Sequence, residues 1–373
     1  MSLFATDLLR IISVTFIMFN HVSWPFYARN GSVSETPFDI GVAIVNQLGK
    51  PSVLVFIFLS GLAFARHRIN SEFSAVKFYK NRAGRLLPPY ILISLLAIYF
   101  FDTVKTEDIP MAFLTGGAMY HLYFVALISY CYLLFPLMRS IKPTKLNFSM
   151  LFICFTILQV TLAVFVPESA NPVIIKYARN LFSISYTLDI DKTIVLWIEF
   201  LSFAILFFQA GIWIGRSTDK HRERDTGFYS ITSVIMISAF IMVFADFIIR
   251  IHAGVHADAS GRTWRMSVLL YALTWIFLLR NVNRNKSNPA MRRLARASFL
   301  VYLIHPLLIN FTKTVGYDYP IIYAALIIAS SWSVALTLQH LALKFHLAGF
   351  FLGEGDKIME KRSQTVLNTQ QQA

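Results

Sequence analysis

The chain has little charge for its length and almost no cysteine. Only 14% of its 373 residues are Asp, Glu, Lys or Arg, while 56% are hydrophobic, and the mean hydropathy is +0.57. An ordinary soluble domain carries about 25% charged residues, so this composition excludes a typical soluble fold. Cys131 and Cys154 both lie inside apolar runs, which argues against a disulfide framework. The composition indicates a polytopic membrane protein.

Acidic residues are few, and the formal net charge is +14. A nucleic-acid-binding protein collects such a charge on the face of a soluble domain, whereas these Lys and Arg residues lie between long apolar runs. We therefore expect no nucleic-acid partner and interpret the charges as topology signals. A cleavable signal peptide is not evident, because Arg10 interrupts the first apolar run, and we expect that run to be kept as a helix.

Ten apolar runs have about the 20 residues that a helix needs to cross a bilayer, although the third is short. They lie near 7–27, 44–65, 86–101, 113–138, 148–166, 193–214, 228–249, 264–280, 297–316 and 319–343. The ninth and tenth are so close that a re-entrant pair is the alternative for them. The sequence thus predicts an all-α transmembrane bundle of about ten spans.

Basic residues predict how the bundle is oriented. The loops after the second, fourth, sixth and eighth spans are rich in Lys and Arg, and the other loops hold far fewer. By the positive-inside rule both termini are then cytoplasmic. We expect a transmembrane domain over 1–350, without an appended soluble domain, and a cytoplasmic tail over 351–373 whose polar end is disordered.

The first span carries Arg10 and His21, two ionisable residues that are costly in a bilayer. They are eleven residues apart, which leaves a difference of only about 20° after three helical turns, so both face the same way. Asp7 shares that face and is placed to pair with Arg10. The alternatives are an Arg10 that extends to the cytoplasmic headgroups and a His21 that bonds a neighbouring helix in the core. Together on one stripe, the two residues favour a functional role.

Arg10, ten intervening residues and His21 resemble the signature of the acyltransferase-3 family, bacterial inner-membrane enzymes that acylate extracytoplasmic glycans and other acceptors. Five more segments resemble family elements, in family order: FIFLSGLAF (56–64), FYKNRAGRLLPPY (78–90), HLYFVALISYCYLLFPL (121–137, with Tyr123 where the family commonly has Trp), FFQAGIWIGR (207–216) and SFLVYLIHPLL (298–308). The resemblance covers most of the chain. It implies a stand-alone ten-helix acyltransferase core without the lipase-like domain that some members carry.

The resemblance also implies an acyl-CoA donor, with acetyl as the default acyl group, succinyl as the alternative, and no metal. We predict that Lys80, Arg82 and Arg85, which match the family's basic turn, bind the phosphates of coenzyme A at the cytoplasmic face. We expect Pro88 and Pro89 to lie in the first turn of the third span, so that a helix N-terminus adds to the attraction for phosphate. The alternative is that these charges only orient the protein.

Three acidic or imidazole side chains fall near the outer ends of their spans: His121, Glu199 and Asp246. Glu199 has no evident partner along its own helix, so we predict that it orients a histidine or meets a sugar. His121 and Asp246 are predicted to bind the acceptor. The alternatives are an interfacial His121 and an Asp246 that pairs with Arg250 at i+4.

His305 and Tyr302 lie in the ninth span and are also predicted to bind the acceptor. Pro306 follows His305, and because proline lacks an N–H it frees a carbonyl of the preceding turn for another partner. A purely structural role in helix packing is the alternative for His305.

We predict a reaction in which acyl-CoA binds at the cytoplasmic face and the hydroxyl of a glycan or lipid-linked sugar approaches from outside. His21 acts as general base on that hydroxyl, and Arg10 holds the donor or stabilises negative charge. An acyl-histidine intermediate is the rival scheme. The alternative functions are a transporter or flippase for a lipid-linked sugar, although no inverted repeat is evident, and a structural scaffold. The sequence leaves the acceptor's identity and the oligomeric state open.

Overall fold

A computed structural model of the chain describes residues 1–29, 32–33, 36–67, 73–165, 192–216, 226–280, 282, 288–312 and 320–352. Its helices, in chain order, are α1 (Leu3–Tyr27), α2 (Pro37–Leu48), α3 (Ser52–His67), α4 (Ala75–Phe101), α5 (Ile109–Thr115), α6 (Tyr123–Met138), α7 (Lys145–Phe165), α8 (Lys192–Arg216), α9 (Thr226–His252), α10 (Ala257–Ser260), α11 (Met266–Arg280), α12 (Pro289–Thr312), α13 (Pro320–Lys344) and α14 (His346–Phe351). Two-residue strands β1 (Ala28–Arg29) and β2 (Ser32–Val33) form a short antiparallel ladder after α1. The predicted all-α class is confirmed.

The long helices are apolar enough to cross a membrane. Within the ranges that the structure describes, eight stretches meet the length and hydropathy of a span, and two shorter apolar helices, Tyr123–Met138 and Met266–Leu279, lie at the other two predicted spans. Large apolar side chains in these helices, such as Ile157, Ile241 and Leu326, are more than half exposed. Lipid contact accounts for apolar faces of this size. The chain is therefore a multi-pass helical membrane protein.

The predicted fourth span, 113–138, is interrupted, and the expectation of one continuous helix there is wrong. α5 ends at Gly116, whose φ of +76° is a left-handed conformation that favours glycine. A glycine in this conformation ends a helix whatever the hydropathy of the flanking residues. The second predicted span is likewise divided into α2 and α3, because Gly49 and Pro51 lie between them.

The third predicted span begins earlier than expected. α4 starts at Ala75, where the Oγ of Ser74 accepts a hydrogen bond from the N–H of Lys77 at 3.3 Å. Pro88 and Pro89 therefore lie inside the helix, and the prediction that they occupy its first turn is wrong. Each proline removes one helix hydrogen bond, but a helix that is well capped and already several turns long continues past them.

The chain divides into two compact units. The first unit comprises Met1–Ile69 and Leu137–Arg292, and in it α3 packs along α8, α9 packs on α11, and α1 packs on α2 and α3. The second unit comprises Asn70–Pro136 and Arg293–Ala373, and in it α14 packs on both α4 and α13. Most of the predicted tail, 353–373, lies outside the described residues, so its disorder stays a prediction.

Candidate functional site

Glycine brings α3 and α8 of the first unit into direct backbone contact. A Cβ atom built on Gly61 would lie 2.1 Å from the carbonyl oxygen of Phe208, and one built on Gly211 would lie 2.1 Å from that of Phe58. Small residues permit such close crossings in membrane helices, where packing and not water exclusion holds helices together. Both glycines belong to segments that carry the family resemblance. The four-residue spacing of Gly211 and Gly215, which is typical of close helix packing in membranes, could have predicted this crossing from the sequence.

Glu199 is carried by α8 and is only 1% exposed. Its backbone carbonyl accepts a hydrogen bond from Ser202 Oγ at 2.7 Å, and that hydroxyl accepts one from Gln159 Nε2 at 2.8 Å. Gln159 lies on α7, so its hydrogen bond to Ser202 joins α7 to the turn of α8 that carries Glu199. The carboxylate is thus held in the protein interior, as a residue that orients a histidine would have to be.

The polar stripe predicted on α1 is present. α1 is continuous from Leu3 to Tyr27, so Arg10 and His21 share a helix face as expected. Arg10 Nη1 lies 3.8 Å from Asp7 Oδ1, with the Arg10 side chain 32% exposed and that of Asp7 9% exposed. The predicted Asp7–Arg10 pair is therefore confirmed, and His21 lies half-buried about three turns further along.

The backbone next to His21 is held by a residue that the sequence did not single out. Asn46 of α2 is fully buried, and its Nδ2 donates to the carbonyl of Asn20 at 3.2 Å and to Ser23 Oγ at 2.8 Å. Ser23 Oγ itself donates to the Asn20 carbonyl at 3.4 Å. That carbonyl belongs to the peptide bond that joins Asn20 to His21. Two side chains therefore fix the peptide plane immediately before the proposed base.

Asp246 lies in a cluster of charged residues that only the fold assembles. Its Oδ1 accepts from Arg250 Nε at 2.8 Å, and its Oδ2 accepts from Arg265 Nη1 at 3.0 Å and from Ser267 Oγ at 2.6 Å. The i+4 ion pair with Arg250, considered as an alternative above, is therefore present, and the acceptor-binding role of Asp246 stays a prediction. The sequence analysis missed Arg265, which is completely buried; its signal was an arginine at the very start of an apolar run, like Arg10.

The second unit brings His121, Tyr302 and His305 together. The His121 ring centroid lies 5.3 Å from that of Tyr302 and 5.5 Å from that of His305, and the Tyr302 hydroxyl donates to the His121 carbonyl. All three residues are buried. The structure thus collects three of the predicted acceptor-binding residues from two distant parts of the chain.

His305 also uses the carbonyl that Pro306 frees. Proline has no N–H for the carbonyl of Tyr302, four residues earlier, and His305 Nδ1 lies 2.8 Å from that oxygen and 3.2 Å from the carbonyl of Val301. A carbonyl only accepts, so Nδ1 carries the ring proton and Nε2 is the acceptor atom of the neutral imidazole. The prediction that Pro306 frees a carbonyl for another partner is confirmed.

The three predicted coenzyme-A-binding residues lie on α4. Lys80 is exposed, Arg82 and Arg85 are half-buried, and the Arg82 guanidinium carbon lies 5.9 Å from the centre of the Phe78 ring. Since α4 begins at Ala75, these side chains lie in its second and third turns, beyond the unbonded N–H groups of its first turn. The N-terminus of α4 is therefore not at these residues, and only their positive charges favour the binding of phosphate.

Over the ranges that the structure describes, there is no group of three or more His, Cys, Asp or Glu side chains that could hold a metal ion.

The predicted site residues are divided between the two units. The first unit contains Arg10, His21, Glu199 and Asp246, on α1, α8 and α9, and the second unit contains the others.

A family model described as an acyltransferase domain matches residues 4–340, nearly the whole chain. No curated protein matches the chain significantly. No solved structure does so either.

Proposed function

Because the chain belongs to the acyltransferase-3 family and is a membrane acyltransferase, we propose that it moves an acyl group, by default acetyl, from cytoplasmic acyl-CoA to a hydroxyl group. The acceptor in this proposal is an extracytoplasmic or lipid-linked glycan, and the location is a bacterial inner membrane. The family match over residues 4–340 is the observation that carries the proposal.

We assign the role of general base to His21. Its neutral imidazole takes the proton of the acceptor hydroxyl while the oxygen attacks the thioester carbonyl, and the coenzyme A thiolate leaves and is protonated by the imidazolium. The position of His21 on α1, half-buried and with its preceding peptide held by Asn46, supports this role. A base in a fixed position meets the geometric requirement for proton transfer.

Charge placement supports the assignment of donor contacts. Arg10 is a partly exposed guanidinium on the face of α1 that carries His21, and a fixed cation near the reacting thioester stabilises the negative charge that develops on its oxygen. Lys80, Arg82 and Arg85 are the proposed contacts for the phosphates of coenzyme A, since guanidinium and ammonium groups bind phosphate oxygens well.

The remaining site residues receive roles according to their surroundings. Glu199 is buried on α8 and is the proposed partner that orients a histidine or meets the sugar. The cluster of His121, Tyr302 and His305 is the proposed set of acceptor contacts, because the fold brings together three side chains of kinds that hydrogen-bond sugar hydroxyls. Asp246 is kept in this set as the weakest member, since both of its oxygens already accept hydrogen bonds.

The test uses membranes that contain wild-type, His21→Ala or His252→Ala protein, supplied with radiolabelled acetyl-CoA and total envelope glycans. His252 is an exposed histidine at the end of α9 and serves as the matched control. We expect labelled glycan with wild type and His252→Ala, and a loss of about 10²-fold or more with His21→Ala, the usual contribution of a general base. Label that persists with His21→Ala would refute both histidine schemes, and absence of label with wild type would refute acyl transfer from acetyl-CoA to these glycans.

Omitting the glycan separates the two schemes. Label that stays bound to denatured wild-type protein indicates an acyl-histidine intermediate, and unlabelled protein indicates a general base.

A further inference from the structure

A chain of hydrogen bonds runs through the first unit from Asp246 to the peptide bond before His21. Arg265 Nη1 donates to Asp246, and Arg265 Nη2 donates to Gln47 Oε1 at 2.6 Å. Gln47 Nε2 donates to the neighbouring Asn46 Oδ1 at 3.4 Å, and Asn46 Nδ2 donates to the Asn20 carbonyl at 3.2 Å. This chain of hydrogen bonds thereby connects four parts of the first unit: α9, the residue just before α11, α2 and α1.

The central members of this chain are inaccessible to solvent. Asn46, Gln47 and Arg265 are each 0% exposed. Arg265 uses three different nitrogen atoms, because its Nε also donates to the carbonyl of Arg262 at 2.8 Å. A buried guanidinium is costly, and apolar residues of similar volume often stabilise a fold as well or better. General stability is therefore a weak explanation for these side chains, whereas one defined set of partners fixes the relative position of the helices that carry them.

The hydrogen bonds that this network makes to α1 indicate that it positions His21. Asn46 contacts α1 at the carbonyl of Asn20, the oxygen of the peptide that enters His21, and not at a distant turn. Ser23, on the other side of His21, also receives a hydrogen bond from Asn46, at 2.8 Å. Contacts on both sides of one residue restrict the rotation and shift of that helical turn.

We propose that Asn46, Gln47 and Arg265 are positioning residues for His21. Arg265, held by Asp246, orients the Gln47 side chain, which orients Asn46, which fixes the turn of α1 from which the imidazole projects. This inference rests on the proposed role of His21 as the base. Misplacing a reacting group by about 1 Å can cost about 10²-fold in rate, so weakening this chain lowers kcat more than it changes the KM for acyl-CoA.

The test compares Asn46→Leu, Arg265→Met and the double variant with wild type. Arg265→Met leaves Asp246 with Arg250 and Ser267, so no carboxylate is stranded. Gln339→Leu is the matched control, since Gln339 is a helical amide that is only 4% exposed and lies in the second unit. Each variant is purified, and its thermal unfolding in detergent, its kcat and its KM for acyl-CoA are measured.

We expect Asn46→Leu to lower kcat by about 10- to 100-fold at little-changed KM, with a smaller loss for Arg265→Met. The double variant should lose no more than Asn46→Leu alone, because Arg265 acts through Asn46. Losses that multiply in the double variant, or a kcat for Asn46→Leu within about twofold of Gln339→Leu, would overturn the proposal. If Arg265→Met does not fold, Gln47→Met takes its place, because it breaks the same chain one step nearer to His21.

A second readout does not depend on transfer. Carbethoxylation of His21 by diethyl pyrocarbonate, followed on its own peptide by mass spectrometry, reports how the imidazole is presented. We expect its rate to change with Asn46→Leu and Arg265→Met while the rates at His121 and His305 stay as in wild type. An unchanged His21 rate in both variants would overturn the positioning role. If His21→Ala retains full transfer, the proposed role of His21 as base fails, yet the labelling result still decides whether these hydrogen bonds position His21.

Discussion

Arg10 and Arg265 both lie near the start of an apolar helix, but they differ in exposure to solvent and therefore in the role that each can have. Arg10 is 32% exposed and pairs with the Asp7 carboxylate on its own helix. Arg265 is completely buried and donates to a side-chain carboxylate, a side-chain amide and a backbone carbonyl. A partly exposed arginine can turn toward a ligand at little cost, whereas a buried one with several partners cannot leave them without exposing unsatisfied groups. Arg10 is therefore the better ligand-binding candidate and Arg265 the better structural anchor.

Removing the hydroxyl of Tyr302 tests whether its hydrogen bond to the His121 carbonyl stabilises the protein. Tyr302→Phe removes one of two hydrogen bonds to the buried His121 carbonyl, which still accepts from the N–H of Phe124 at 3.2 Å. Loss of an ordinary hydrogen bond costs about 0.5–1.5 kcal/mol. We expect a lower midpoint of thermal unfolding in detergent, measured by intrinsic fluorescence. Tyr99→Phe is the control, because Tyr99 is 82% exposed. Equal midpoints for the two variants would show that the Tyr302 bond does not stabilise the protein.

Helix termini and crossings set the positions of the candidate site residues at the scale of elements. α4 starts at its serine cap, which places the basic residues inside the helix. Gly116 ends α5 and leaves a turn that carries His121 into the start of α6. Gly61 and Gly211 allow α8 to lie directly against α3, and α8 in turn carries Glu199. Backbone conformation and close packing thus decide where the functional side chains lie.

The crossing of α3 and α8 predicts an asymmetric response to alanine. Gly211→Ala places a methyl group about 2 Å from the Phe58 carbonyl, so the helices must separate, and overpacking of this kind costs about 1–3 kcal/mol. Gly41→Ala is the control, since a Cβ on Gly41 of α2 meets no atom within 4 Å and alanine favours a helix by about 1 kcal/mol over glycine. We expect Gly211→Ala to lower the unfolding midpoint and the yield of folded protein, and Gly41→Ala to leave both unchanged or higher.

The whole molecule is a multi-pass helical membrane protein, and its charge distribution predicts its orientation. The Lys- and Arg-rich loops alternate with poor ones, which predicts that Lys142 faces the cytoplasm and Lys105 the outside. Both lysines are exposed in the structure, and in the sequence Lys105 precedes α5 and Lys142 follows α6. Opposite exposure of these two loops to aqueous reagents would establish the orientation of the protein in the membrane.

Cysteine labelling measures this orientation. In spheroplasts, a membrane-impermeant maleimide should label Lys105→Cys at once and Lys142→Cys only after permeabilisation. The native cysteines are expected to interfere little, because Cys131 is buried and Cys154 lies within the apolar helix α7, where we expect no contact with water. Replacing both by serine provides the background control. Labelling of Lys142→Cys alone in intact spheroplasts would show that the orientation is reversed.

Hydropathy, charge alternation and short motifs already determined the helical class, the approximate spans, the polar stripe on α1 and the family, because each of these depends on residues that are close in the chain. The proton position on His305 was also half-determined, since Pro306 necessarily frees the Tyr302 carbonyl. The serine cap that starts α4 and the glycine that breaks the fourth span are also local features, but hydropathy does not register them. Only the tertiary structure could join Asn46, Gln47 and Arg265, since Gln47 and Arg265 are 218 residues apart. A contact of that kind exists when folding brings two buried polar groups within hydrogen-bonding distance, and no periodicity within one helix encodes it.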